Sequence, residues 1–235
     1  FTADVFTVGF ALTGTGTAAF GDGADLTGPV TTAADDQGTL TFDGTSTVSD
    51  QVGASGTALA DVNGGAVGAT TTFQSDVFAT NIDVTGTGTI DFDGAVEGTV
   101  DFEGDGTVTL ADSRDLTGAV TTQTDDTGTL TVEGTSTVTG TVGAGGAALK
   151  VVNAGADGDT ATFNQAVTAT TVAHSGTGTI ALADGAGIDG LVTGSAANTG
   201  TMTFAGTSTI TGTVGNTNAL NQLTARGMAE RLITL

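Results

Sequence analysis

Polar and apolar residues alternate along this chain in short bursts. Thr39-Leu40-Thr41-Phe42 and Thr129-Leu130-Thr131-Val132 each place an apolar side chain at every second position, the period of a strand with one face buried. Gly or Asp-Gly interrupts the alternation every few residues, as turns require. No stretch from Phe1 to Val214 carries a convincing helical period. Strands this short, separated by glycine corners, predict an all-β chain.

The bursts recur. Asp25 to Asn63 and Asp115 to Asn153 are nearly the same text, and a worn third copy runs from Ile188 to Thr224. The frame that opens at Val5 returns at Val77 and at Val167. Val5 to Val77 and Gly134 to Gly206 are 72 residues apart, whereas Asp25 to Asp115 and Val77 to Val167 are 90 apart. The 18-residue difference is visible as a duplication: GTGTIDFDG from Gly86 is echoed by GDGTVTLAD from Gly104. A piece that can be inserted whole without disturbing the frame behaves as one coil of a solenoid.

The pattern therefore predicts a β-solenoid, or β-helix, with coils of about 18–22 residues spanning residues 1–218. At about 20 residues per coil, the chain makes roughly 12 coils and a rod about 58 Å long. Phe20, Phe92 and Leu182 share one frame position; Phe42, Val132 and Phe204 share another; Phe73 and Phe163 share a third. These are expected to point inward and to stack, while Thr covers the outside.

Residues 219–235 read differently and form a separate cap or docking segment. Leu220, Leu223, Met228 and Leu232 recur at roughly helical spacing, although Gly227 weakens a helix there. Ala219-Leu220 also continues the repeat, matching Ala58-Leu59 and Ala148-Leu149 after a one-residue deletion. A short C-terminal helix or tail and a last strand both remain open. No cap is evident at Phe1, so the first coil is expected to expose strand edges that seek a partner.

Composition sharpens this picture. Lys and Arg number 4 against 26 acids, for a net charge of -22, which argues against nucleic acid or an anionic membrane as partner. A mean hydropathy of +0.20 is too apolar for simple disorder. Cysteine is absent, so there is no disulfide and no thiolate metal site. No apolar run is long enough to span a bilayer as a helix, and no signal peptide is visible. The chain opens on Phe1 rather than Met, which reads as a mature or trimmed product or a window from a larger protein.

The phrase GTLTVEGTSTVTGTVGAGGAAL, Gly128 to Leu149, and its copies resemble the repeats of large bacterial surface proteins. These include autotransporter passengers and the repeats of surface-layer and adhesin proteins. The resemblance covers about Phe1 to Val214 and implies secretion and a structural or adhesive role at the cell surface. The chain departs from the autotransporter pattern in having no membrane barrel segment.

Candidate chemistry is sparse. His174 is the only histidine, and without cysteine or a second histidine it has no catalytic partner of the usual kinds. A structural role is the better reading. The acidic turns Asp35-Asp36 and Asp125-Asp126 recur 90 residues apart, as do Asp43 and Glu133. Oxygen-rich turns suit calcium, a hard cation, so calcium is the one cofactor the sequence leaves open. The third copy has Ala197-Asn198 and Ala205 there, and no EF-hand loop or glycine-rich calcium repeat is present, so ordinary turn chemistry is favoured. Asp91, Asp93, Asp101, Glu103 and Asp105 are close in sequence, but glycan hydrolysis needs two carboxyls across a cleft, and Trp and Tyr platforms are absent. The GTGT pieces at Gly14, Gly86 and Gly176 lack the residues of a phosphate loop. Thr45/Thr47, Thr135/Thr137 and Thr207/Thr209 share one frame, and Thr87/Thr89 and Thr177/Thr179 another. A flat threonine face resembles some ice-binding proteins, although outward Thr is also an ordinary strand residue.

The sequence thus points to a non-enzymatic, extracellular structural subunit that pairs with itself head to tail in a surface filament or surface layer. An adhesin or autotransporter stalk is the alternative, and ice binding a weaker one.

Overall fold

The computed structural model describes residues 1–226, and all of its regular structure is β-strand. Parallel strands stack into a β-solenoid of about 11 turns, one fewer than expected. Most coils fall within the predicted 18–22 residues, and a few are longer. Thr107 lies directly over Thr89, the predicted 18-residue step, but Thr72 lies over Thr47. Corner loops absorb the difference. At about 4.8 Å per coil the rod is about 53 Å long.

Each coil passes three strand positions, so the rod has three faces. The first face runs from Val5–Phe6 through Leu26–Thr27, Ser46–Val48 and Thr70–Phe73. From there it climbs through Ile90, Val108, Leu130, Val152, Val172 and Val192 to Val214. The second face begins at Phe10–Leu12 and ends at Gln222–Arg226. The third begins at Thr17–Phe20 and ends at Thr209–Thr211. Long strands such as Val77–Val84 and Val167–His174 turn a corner and serve two faces, with a register shift at the bend.

The alternating segments fold as predicted. Thr39–Phe42, Thr129–Val132 and their relatives bury every second side chain and leave Thr outside. The apolar residues form one continuous core along the rod. Phe1, Phe20, Phe42, Phe73 and Phe92 contact one another in series, with successive ring centroids 4.9, 5.3, 5.8 and 5.5 Å apart, edge to face between Phe42 and Phe73 and stacked at the other three. Each fully buried Phe contributes about 2–3 kcal/mol of burial.

Corners follow a short rule: an apolar residue, any residue, Gly, any residue, Val. Leu26 to Val30, Leu116 to Val120, Ile188 to Val192 and Ile210 to Val214 obey it. Two inward side chains four residues apart flank a glycine with no room for a side chain. At Gly118, φ is +146°, and an added Cβ would lie 1.9 Å from the Gly98 carbonyl oxygen of the coil beneath.

One expectation is corrected. Residues sharing a frame position do point inward, but they do not stack on one another. Leu26 sits on the first face beneath Val48; its counterpart Leu116 sits on the second beneath Val138; Ile188 sits on the third beneath Ile210. Phe20, Phe92 and Leu182 are likewise spread over three faces. Neither offset is a whole number of coils. The 72-residue step spans three coils and a third, and the 90-residue step four coils and a third, so each copy of the repeat is carried one face around the rod.

Of the two readings left open for residues 219–235, the strand is found: Gln222–Arg226 pairs in parallel with Thr201–Ala205. The remainder of that segment, with Met228, Arg231 and Leu232, lies outside the described residues.

The corner analysis yields a direct test. Gly118→Ala should destabilise the rod by about 2 kcal/mol or more. Gly145→Ala, where nothing lies within 4 Å of an added Cβ, should stay within about 0.5 kcal/mol of the parent. Equal effects in thermal unfolding would contradict the corner packing.

Candidate functional site

The acidic turns hold the coils together. Asp25 Oδ1 accepts a hydrogen bond from the Thr47 backbone N–H of the next coil at 2.7 Å, and Asp115 accepts one from Thr137 N–H at 2.7 Å. Asp22, Asp112 and Asp184 do the same for Thr45, Thr135 and Thr207. The carboxylates of Asp157 and Asp184 are held below the usual range because Thr177 and Thr207 donate to the charged form. Among the described residues Lys150 and Asp105 form the one ion pair, at 2.6 Å.

The calcium candidates belong to the same system. Asp35 Oδ1 accepts from Ala58 N–H at 2.9 Å, and Asp125 Oδ1 from Ala148 N–H at 2.8 Å. Asp36 and Asp126 both have φ +58°, and the third copy's Asn198 has φ +62°. Asp and Asn are the side-chain-bearing residues that best tolerate this left-handed conformation. So the first acid of each pair ties two coils and the second turns the chain. In the third copy Ala197 lacks the tie, while Asn198 keeps the turn. Asp126 also accepts a hydrogen bond from the Thr170 hydroxyl at 2.7 Å. Among the described residues no group of three or more His, Cys, Asp or Glu is placed to hold a metal ion.

The other carboxylates are dispersed. Asp91 projects from the first face, level with Thr72 and Thr109, and Asp101 from the third, level with Asp83. Asp105 is engaged by Lys150. The threonine pairs separate in the same way. Thr47 is on the first face, Thr137 on the second and Thr209 on the third; Thr89 is on the first and Thr179 on the second. The repeat that multiplies them also turns them away from one another.

The main electrostatic feature is an acidic ladder on the third face, where Asp83 lies directly beneath Asp101 and beside Glu103. Its neighbours are satisfied: Asp61 accepts from Thr39 and Asn81, and Asp101 from the Thr121 hydroxyl at 2.6 Å and from Gln123. Asp83 is pushed up to about 6, first by partial burial and then by the charges of Glu103, Asp61 and Asp101. The signal was present in the sequence. Asp83 and Asp101 are one 18-residue coil apart, so the duplicated coil sets like charges one above the other.

His174 sits in the core at 2% exposure, and neither ring nitrogen has a hydrogen-bond partner. Its copies at this frame position are Leu12 and Val84. Gly155 and Gly200, from the coils on either side, make the room: an added Cβ would lie 2.7 Å from Nδ1 at the first and 2.5 Å from the ring at the second. Burial pushes the imidazole down to about 4.

No family model, curated protein or solved structure matches the chain.

Two titrations follow. Asp83 is raised in the folded state, so it takes up a proton more readily there than in the unfolded chain. Its favourable contribution is complete below about pH 4 and is lost as the pH rises through 6. Asp83→Asn should therefore raise the melting temperature more at pH 7.5 than at pH 4.5, and a pH-independent effect would contradict this. His174 has the opposite sign: it is depressed, so between pH 6.5 and 4 only the unfolded chain takes up the proton and stability falls. His174→Leu should gain on the parent by on the order of 3 kcal/mol as the pH drops from 7 to 4. A constant difference across that range would overturn the assignment.

Proposed function

We propose that this chain is an extracellular structural protein, a β-solenoid subunit that assembles head to tail into a bacterial surface filament or surface layer. The observation that carries this reading is the first coil. Of the four large apolar residues left exposed among the described residues, three lie there, Phe1, Phe6 at 76% and Val8 at 102%; the fourth, Val67, stands alone on a corner turn. Exposed apolar residues gathered at one end of a rod mark an interaction surface. The strand edges beside them offer backbone groups for pairing. A second copy supplies the complementary edge, because its last described strands are parallel and belong to the same three faces. A head-to-tail contact of this kind does not close on itself and therefore grows.

The acidic exterior and the resemblance of the repeats to bacterial surface proteins support placement outside the cell. The first carboxylate of each acidic turn, Asp35 and Asp125, is already engaged by a backbone N–H group, so assembly is proposed to proceed without calcium.

Sedimentation velocity over a range of concentrations tests this. Species that grow with concentration, equally in calcium and in chelator, are expected. A single rod-shaped monomer at every concentration would sink the subunit reading and leave the stalk of an adhesin or autotransporter in its place. Growth seen only with calcium would make the acidic turns cation ligands.

A further inference from the structure

The repeat itself specifies how a second copy would seat. Val5, Val77 and Val167 open successive copies of the repeat, each one face further around the rod: first, second, third. A further step of 72 or 90 residues, each a whole number of coils and a third, would carry the pattern to the first face again. Three copies therefore return the pattern to the face on which it began.

Inside the rod the junction between copies occurs twice. Val77 lies over Val52, and Val167 lies over Val142, in parallel pairs. Val52 N–H donates to the Asp76 carbonyl at 3.0 Å, and Phe78 N–H donates to the Val52 carbonyl at 2.8 Å. Val142 repeats this with Ala166 and Thr168 at 2.9 and 2.7 Å. Val214 stands at the same frame position as Val52 and Val142. Val192 N–H donates to the Thr213 carbonyl, and Gly215 N–H donates to Val192. The N–H and carbonyl of Val214 itself therefore point away from Val192, along the rod. At the other end Val5 and Thr7 donate to Asp25 and Thr27, which turns the Asp4 carbonyl and the Phe6 N–H outward.

We infer that the first coil of a second copy docks on the last coil with first face upon first face, Val5 pairing with Val214 as Val77 pairs with Val52. Val214 N–H then donates to the second copy's Asp4 carbonyl, and the second copy's Phe6 N–H donates to the Val214 carbonyl. The contact reproduces a junction that the chain already builds twice within itself. This inference rests on the self-assembly reading and adds to it the register.

The chain has no cysteine, so paired cysteines report the register cleanly. Position 4 should face position 213 across the junction, both outward. Three double variants are made in the full chain: Asp4→Cys with Thr213→Cys, Asp4→Cys with Thr211→Cys on the third face, and Asp4→Cys with Thr224→Cys on the second. On oxidation, the 4/213 variant should give a ladder of disulfide-linked multimers and the other two should not. Ladders of similar yield from 4/211 or 4/224 would overturn the register while leaving self-assembly intact. No ladder from any variant, with all three sedimenting as monomers, would overturn both.

Discussion

A coil of this protein cannot satisfy its own backbone. Among the described residues every named strand pairs with strands of the coil above or below. The same holds for its core, since a single ring such as Phe42 is covered only because Phe20 and Phe73 lie against it. Parallel stacking is thus the constraint from which the rest follows. Stability belongs to the interfaces between coils rather than to any coil, and whatever the sequence does at one corner must be compatible with the corner beneath. Glycine at position 118 answers to a carbonyl twenty residues earlier, and the glycines at 155 and 200 answer to the histidine between them.

Two kinds of interaction act across those interfaces, with different weights. Burial of an aromatic or branched side chain contributes about 2–3 kcal/mol, and nearly every coil buries several. The aspartate ties to the next coil are exposed or only half-buried and contribute less. Their value is geometric. Asp25 and Asp115 each fix which backbone N–H of the following coil lies opposite, and so hold the register against slippage by two residues. A charge of -22 that reads as a solvating coat is, in part, a set of fasteners.

The alternation of Thr39–Phe42 and its relatives made the strands legible, and the duplicated 18-residue piece made the coil legible. The inward positions followed from period two alone. What could not be read was the turn of the repeat around the rod. The coil varies in length, since Thr107 follows Thr89 by 18 residues but Thr72 follows Thr47 by 25, and this irregularity conceals that 72 and 90 are not whole numbers of coils. That rotation separates the threonine pairs and the carboxylates that look contiguous in sequence. The environment of His174 was equally hidden, because its two glycine neighbours come from different coils. The pairing of Asp83 with Asp101 was within reach: it required only applying the 18-residue step to the acids as well as to the glycines.

Each copy of the repeat is carried one face further around the rod, so three copies make a full circuit of the faces. This links the fold to the proposed function, and the helical symmetry of assembled protein measures it most directly. Image reconstruction of filaments by electron cryomicroscopy should give a rise of about 53 Å per subunit, the length of about 11 coils, with each subunit's first face following the first face of the one before. A rotation near a third of a turn per subunit, or a rise unrelated to the rod length, would contradict the account.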